Sequence, residues 1–297
     1  MTTSAAVSLG YVAIYVALVG VASFIEKPAA RGFGAFQINA LIRAGSLAAA
    51  VVALVLAHGL ALPATSYLLA GLGIGLITGA GSMLYCFGLD YLPVSLVVTL
   101  SNLYIVVTIV LGIVFLHEPV TGLKIAGLTC IIAGVVILGH SPARYAARTQ
   151  GGSTASAPRQ ARGFVIMGIY IVLIGVGAFL EKPALKGLTA TQLNALMGIA
   201  MTAVAGTALA VKGPRLPMTK RTLAVLGVGI MIGAASVFYF LGLRGLPVSV
   251  ASAASNASVV VTVVLSAIFL HQPIGRARGA GLALTLLGAT LLALSTG

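Results

Sequence analysis

The residues of this chain best suited to chemistry are two Glu-Lys-Pro triplets, Glu26-Lys27-Pro28 and Glu181-Lys182-Pro183. Each lies near the end of a long apolar run, where an ionisable side chain costs roughly 2.5–3.5 kcal/mol on insertion scales. One interpretation is a neutralised pair at the membrane surface, with the lysine reaching toward water. We favour the other, a polar site facing a cavity between helices, because the same neighbours occur twice.

Four amide side chains form a second repeated set. Gln37 and Asn39 open one apolar segment, and Gln192 and Asn194 open a matching one. Residues two apart do not share a helix face, so we expect Asn39 and Asn194 to face the cavity. Gln37 and Gln192 are secondary candidates for its lining, and helix capping is an equal alternative for all four amides.

Arg43 breaks this repeat, because Gly198 stands at the equivalent position. It lies four residues after Asn39 and therefore shares that face of the helix. We expect Arg43 to pair with Glu26 or Glu181, since an unpaired charge in hydrocarbon is unfavourable. An unpaired Arg43 facing the cavity would instead suit an anionic or carboxylate-bearing substrate.

Weaker candidates lie deeper in the apolar segments. Asn102 and Asn256 are candidate substrate-binding or coupling residues, and hydrogen bonding between helices is the alternative. Tyr85, Tyr104 and Tyr239 could line a cavity with their rings and hydroxyls or simply pack in the core. The site we predict thus mixes charged, amide and aromatic side chains.

The remaining reactive residue types do not assemble into a catalytic or metal-binding pattern. Cys86 and Cys130 lie in apolar stretches without metal-ligand spacing, and we interpret them as packing residues. His117 and His271 fall at the ends of apolar segments, and we interpret them as turn residues near the membrane surface. We expect no metal, no cofactor and no enzymatic activity.

Composition assigns these residues to a membrane protein. Hydrophobic residues make up 60% of the chain and charged residues only 7%, whereas soluble domains carry about 25% charged residues. The net charge of +13 comes from basic residues scattered near segment ends, which argues against nucleic-acid binding. Runs long enough to cross a bilayer recur at residues 5–30, 34–57, 66–89, 93–116, 121–140, 163–186, 190–211, 220–243, 247–270 and 275–295.

The ten segments form two copies of a five-segment unit. The Glu-Lys-Pro triplets lie 155 residues apart, and Leu92-Pro93-Val94-Ser95 returns 154 residues later as Leu246-Pro247-Val248-Ser249. We therefore predict repeats at 1–140 and 163–297, joined by a polar linker at 141–162. Five crossings leave the chain on the opposite face, so the fold class we predict is all-α with ten transmembrane helices in two inverted five-helix repeats.

In this arrangement the chain resembles the drug/metabolite transporter superfamily, specifically the ten-helix EamA type. The resemblance rests on the repeated Leu-Pro-Val-Ser turns and on Phe115-Leu116-His117-Glu118-Pro119-Val120-Thr121, which leads into a segment with Gly127, Gly134 and Gly139. Two departures are Gln272, which stands where the first half has Glu118, and the Glu-Lys-Pro triplets. The resemblance implies transport of a small metabolite by alternating access, often as export.

We therefore predict a secondary transporter of a small polar, amino-acid-like or charged molecule in a lipid bilayer. Glu26 or Glu181 could couple transport to protons, because burial favours the neutral carboxyl. The alternatives are a flippase for lipid-linked substrates, a passive channel and, least favoured, an intramembrane enzyme.

We expect a multi-pass protein of the plasma membrane, in the inner membrane of a bacterium. Most loop Lys and Arg residues lie on one side, which favours termini outside the cell. The family resemblance favours cytoplasmic termini.

Overall fold

The structure, a computed structural model, describes residues 3–58, 63–149, 157–212, 216–269 and 275–295. Every regular element in these ranges is an α-helix, which confirms the predicted all-helical architecture there. The helices are α1 (Thr3–Ala29), α2 (Ala35–His58), α3 (Thr65–Tyr91), α4 (Val94–Ser101), α5 (Tyr104–Leu116), α6 (Gly122–Thr149), α7 (Ala157–Ala184), α8 (Ala190–Lys212), α9 (Lys220–Gly245), α10 (Val248–Ser255), α11 (Ser258–Phe269) and α12 (Arg276–Leu294). His271 and Gln272 lie outside the described residues.

Many of these helices have the length and composition to cross a membrane. Within the described ranges, seven helical stretches do so, with α10 and α11 counted as one stretch. Three further apolar helical stretches are shorter, at Tyr104–Leu116, Gly122–Gly134 and Gly279–Leu292. Ten crossings therefore stay a prediction.

The fourth and ninth predicted segments are each divided into two helices. Between α4 and α5 the backbone continues through Asn102 and Leu103, with the Leu103 N–H donating to the Leu100 carbonyl as in a 3₁₀ turn. The Asn102 side chain donates to the Val98 carbonyl at 2.7 Å and so competes with the helical backbone bonds. Asn256 bonds the Ser252 carbonyl in the same way at 3.4 Å, between α10 and α11.

The helices flanking the predicted linker extend into it. Helix α6 continues to Thr149 and α7 begins at Ala157, so only the central part of 141–162 separates them. The polar composition of this stretch predicted a linker over its full length. Helix propensity and continuity with the apolar helices on both sides account for the difference, since Ala and Arg are good helix formers.

The two halves pack against each other in matching pairs of helices. Helix α1 packs on α9 as α3 packs on α7, and α2 packs on α9 as α3 packs on α8. Here α1, α2, α3 and α5 of the first half correspond to α7, α8, α9 and α11 of the second. In the same way, the contact of α1 with α11 corresponds to the contact of α7 with α5. Helices α2 and α8 contact each other, as do α6 and α12. This is the pattern of an approximate two-fold axis between the halves.

Neighbouring residues show the directions of the helices. Gly81 of α3 faces Ile174 of α7 while Gly88 faces Met167, so α3 and α7 are antiparallel. The first and third helices of a half point the same way because α2 returns the chain between them. Helix α1 therefore runs opposite to α7, and equivalent helices of the two halves have opposite directions.

Glycines allow α6 and α12 to approach closely. A β-carbon at Gly288 would lie 2.6 Å from the Gly127 carbonyl oxygen, and one at Gly134 would lie 2.7 Å from the Gly281 carbonyl oxygen. These contacts, one near each end of the pair, also show that the two helices are antiparallel. Small residues at such contacts are typical of helix packing in membranes.

We predict that Gly288→Ala destabilises the protein by about 1–3 kcal/mol, because the added methyl group has no space. Thermal unfolding in detergent measures this through a dye that fluoresces on reacting with newly exposed cysteine. Gly279→Ala in the same helix is the control, since nothing lies within 4 Å of its β-carbon position. Equal stability of the two variants would show that the close contact at Gly288 does not limit the size of the side chain there.

Candidate functional site

Two neighbouring cavities lie between the halves. The smaller has a volume of about 280 Å³ and the larger about 570 Å³. Both are lined by Arg43, Ile174 and Ile232, which form a shared wall. The sequence predicted that the polar candidates approach one central cavity; among the described residues they line two neighbouring cavities that share this wall, each holding the equivalent polar residues of one half.

The polar linings of the two cavities are equivalent under the internal repeat. The smaller cavity includes Tyr15, Glu181, Asn194, Ser236 and Tyr239. The larger one includes the matching residues Tyr170, Glu26, Asn39, Ser82 and Tyr85. In each case one half supplies the acid, amide, serine and tyrosine, and the first helix of the other half supplies the second tyrosine. The cavities are thus two versions of the same half-site.

The half-sites differ in how far they are buried. Glu181 and Asn194 are each 8% exposed, and the Asn194 side chain donates to the Gly233 carbonyl at 2.8 Å. Glu26 and Asn39 are partly exposed, and Asn39 donates to the Ser82 hydroxyl at 3.3 Å. The molecule is therefore more tightly packed around the acid and amide of the smaller cavity than around those of the larger one.

Arg43 lies on α2 where the two cavities meet. Its Nε donates to the Asn39 side-chain oxygen at 3.3 Å, and its Nη1 lies 4.0 Å from the Met201 sulfur. Within the described ranges the one salt bridge joins Lys124 and Glu118. Arg43 therefore forms no direct salt bridge with Glu26 or Glu181, although Arg43 and Glu26 line the same larger cavity. The guanidinium group lines both cavities instead.

Tyrosine rings form part of both walls. Tyr15 and Tyr239 lie with ring centroids 5.1 Å apart in the smaller cavity, and Tyr85 and Tyr170 lie 5.8 Å apart in the larger one. Tyr104 also lines the smaller cavity. All three tyrosines considered from the sequence thus contribute to cavity walls.

Other candidate residues lie away from the cavities. The side-chain oxygens of Gln37 and Gln192 accept from the backbone N–H groups of Gly34 and Thr189, both at 2.9 Å, and so cap the starts of α2 and α8. Capping, the alternative left open by the sequence, therefore describes these two residues. Asn102 and Asn256 bond within their own helices at the breaks, because their amides reach a carbonyl one turn earlier.

The lysines of the two triplets also point elsewhere. Lys182 donates to backbone carbonyls at the end of α9, and Lys27 donates to the Ser266 hydroxyl at 3.1 Å. Neither is among the described residues that line the two cavities. The carboxyl groups of the triplets line the cavities, whereas the lysines bond at the ends of the helices.

Several cavity residues were missed from the sequence. Tyr15 and Tyr170 occupy equivalent positions of the first helices, and Ser82 and Ser236 those of the third helices. Extending the comparison of the two halves to every polar pair would have identified all four. Cys86, interpreted as a packing residue, is buried but also lines the larger cavity.

Comparison with known proteins agrees with this architecture. The model of the EamA-like transporter family matches residues 7–139 and again residues 162–294. The chain belongs to the EamA-like transporter family. The resemblance inferred from the sequence is thereby confirmed, as is the classification as a multi-pass membrane protein built from two EamA-like repeats.

Solved structures support the fold of this EamA-like protein. One, described only as "Crystal structure of protein", shares 18% sequence identity, covers 98% of both chains and superposes with a TM-score of 0.81. At this identity the similarity concerns the fold alone. No match is found among curated proteins. The EamA family is a family of transporters, so the chain is a membrane transporter of small molecules.

Proposed function

We propose that this protein is a secondary transporter that moves a small, polar, carboxylate-bearing molecule by alternating access. In this proposal the repeats at 1–140 and 163–297 cross the bilayer five times each, with inverted topology. The substrate passes between the two equivalent half-sites and so past Arg43. The observation that carries the proposal is the position of Arg43 in the shared wall of both cavities.

The chemistry of the cavity lining supports a carboxylate-bearing substrate. A guanidinium group offers two parallel N–H donors to a carboxylate, the geometry that arginine binds best. Glu181 lines the same smaller cavity and would attract a positively charged group. A molecule with both a carboxylate and an ammonium group therefore fits the pair, and the tyrosine rings suit its apolar part.

The same lining argues for a water-soluble substrate over a lipid-linked one. The half-sites present charged, amide and hydroxyl groups, whereas a flippase for lipid-linked substrates needs a long apolar groove for the acyl chain. Counterflow of a labelled metabolite in proteoliposomes tests this directly. Saturable exchange of a soluble amino acid supports the carrier, whereas movement of lipid-linked substrates alone would favour the flippase, and non-saturable flux would favour a channel.

A binding screen precedes that assay. The purified protein is heated with pairs of ligands that differ only in a carboxylate, such as an amino acid and the corresponding amine. Ligand that binds the folded state raises its stability with ln(1 + [L]/Kd), so a binder appears as a higher Tm. We expect the acid of each pair to stabilise more than the amine.

Replacing either cavity carboxyl group should impair transport. We expect Glu181→Gln and Glu26→Gln each to lower counterflow by roughly tenfold or more, because a hydrogen bond to a charged group contributes about 1.5–3 kcal/mol. Folding should be retained, since the amide has the same shape. Lys186→Gln is the control, because it removes a charge from an exposed position in the turn that follows α7. Normal transport by both glutamine variants would refute the half-site assignment.

Proton coupling is tested separately with the same variants. If Glu181 or Glu26 carries the coupled proton, its glutamine variant should lose accumulation driven by a pH gradient while keeping some exchange at equal pH. Transport by the unmodified protein that ignores the pH gradient would remove the coupling hypothesis and leave substrate binding intact.

A further inference from the structure

The lysines of the two triplets are the repeated residues that the binding site does not use. Lys182 lies at the end of α7 and donates to three backbone carbonyls at the end of α9, those of Leu243, Arg244 and Leu246. The last carbonyls of a helix have no partner within the helix. Pro247, which follows Leu246, has no N–H to offer either. Lys182 thus satisfies one helix end with three bonds and ties α7 to α9.

These bonds belong to the tightly closed end of the molecule, which we call the Glu181 end. A large apolar cluster packs there, including Leu185, Leu188 and Leu246, each at most 7% exposed. Arg244 adds a bond from its guanidinium group to the Leu188 carbonyl at 2.8 Å. Together these contacts pack the Glu181 end tightly, and Glu181, which lines the smaller cavity, is only 8% exposed.

The opposite end, the Glu26 end, carries the same parts in a different arrangement. Leu89-Asp90-Tyr91-Leu92-Pro93 at the end of α3 matches Leu243-Arg244-Gly245-Leu246-Pro247 at the end of α9. Lys27, the equivalent of Lys182, is exposed and donates to Ser266 of α11. The Asp90 carbonyl accepts instead from Arg159 at 2.9 Å. At this end Glu26 and Asn39 remain partly exposed.

We propose that Lys27 and Lys182 are reciprocal gate residues, each closing its own end by capping the carbonyls at the end of the third helix of its half. The inference rests on the proposed alternating access between equivalent halves. In the structure Lys182 is engaged with these carbonyls, whereas Lys27 bonds Ser266. When the Glu26 end closes, Lys27 leaves Ser266 and caps Leu89, Asp90 and Leu92, while Lys182 releases α9. The Asp90 carboxylate then adds charge attraction to Lys27.

Two equivalent positions, one in each cavity, report whether the Glu26 end or the Glu181 end is open. Cys86 lines the larger cavity, and Phe240, its counterpart in the second half, lines the smaller one. In a Cys130→Ala background, a small water-soluble thiol reagent measures access to Cys86. The further changes Cys86→Ala and Phe240→Cys move the reporter to the other cavity. Labelling rates need no substrate, and detergent-purified full-length protein suffices.

Lys182→Met should raise labelling at position 240 and lower it at Cys86. We expect roughly a tenfold change or more, because charge-assisted hydrogen bonds that stabilise one state are lost. Lys27→Met should do the opposite and lower labelling at position 240. Lys186→Met, at an exposed position of the same helix end as Lys182, should change neither rate.

The gate assignment fails if Lys182→Met folds but leaves both labelling rates unchanged, or if the two lysine variants shift labelling in the same direction. If Lys182→Met does not fold, Lys27→Met still decides, because unchanged or increased labelling at position 240 would overturn the proposal. Labelling that shifts as expected without substrate transport would refute the proposed function but keep the gates. Substrate transport together with labelling rates that neither lysine substitution changes would refute the gates but keep the proposed function.

Discussion

Arg43→Gln should weaken binding of the carboxylate substrate by roughly 10- to 100-fold and abolish its counterflow at ordinary substrate concentrations. The estimate follows from a charge-assisted hydrogen bond of about 1.5–3 kcal/mol between the guanidinium group and the carboxylate. Because Arg43 lines both cavities, the loss should affect both half-sites. Ligand-dependent Tm shifts give the affinity, and proteoliposome counterflow gives the transport.

Two comparisons separate recognition of the carboxylate from general damage. Arg43→Lys keeps the positive charge but loses the planar pair of donors, so we expect an intermediate affinity. The amine that lacks the carboxylate should bind the parent protein and Arg43→Gln equally well. Unchanged affinity of the acid for Arg43→Gln would show that Arg43 does not hold the carboxylate. Loss of the acid and the amine together would instead indicate a collapsed cavity.

Internal repetition made half of this site predictable. Glu26 and Glu181 recur with the same neighbours, and so do Asn39 and Asn194, which indicates a shared role from the sequence alone. Tyr15 also recurs, as Tyr170, but a tyrosine in an apolar helix is as compatible with packing as with a cavity, so the repeat alone does not place it in the site. It enters the site because α1 packs against α9 of the other half, a contact between distant parts of the sequence.

The environment of Arg43 shows why no direct salt bridge forms with Glu26 or Glu181, as the sequence led us to expect. The cost of a charge in hydrocarbon favours a carboxylate partner only where no polar space is nearby. In the structure Arg43 faces two cavities and bonds the Asn39 amide, so the cavities relieve the burial that the apolar sequence implied. Hydropathy reflects the apolar neighbours along the chain and not the space between helices.

The helix breaks were missed for a related reason. Hydropathy is continuous across residues 93–116, so the pattern predicts one helix. The break depends on the Asn102 side chain bonding a carbonyl one turn back, a local bond that competes with the helix. Asn256 makes the same type of bond at the second break, so the repeated Ser-Asn pairs were the available signal.

Glu118 joins the two halves and was also missed as a site of importance. Its carboxylate accepts from the backbone N–H groups of Val248 and Ser249 at the start of α10 and from the Ser249 hydroxyl. Lys124 approaches it at 3.1 Å, with Glu118 9% and Lys124 3% exposed. A carboxylate is favourable at a helix N-terminus, and here it fastens the first half to the second.

Glu118→Ala should therefore be strongly destabilising, by about 3–5 kcal/mol, because it leaves the Lys124 charge buried without its partner. In thermal unfolding this corresponds to a loss of roughly 10 °C in Tm. Glu118→Gln should cost less, since the amide oxygen still accepts from Val248 although the charge is lost. The decisive control is Glu118→Ala combined with Lys124→Met, which removes the unpaired charge and should restore much of the stability. If the losses of stability caused by Glu118→Ala and Lys124→Met instead add up in the double variant, the ion pair does not stabilise this junction. The N-terminal cap of α10 then accounts for the whole effect of Glu118.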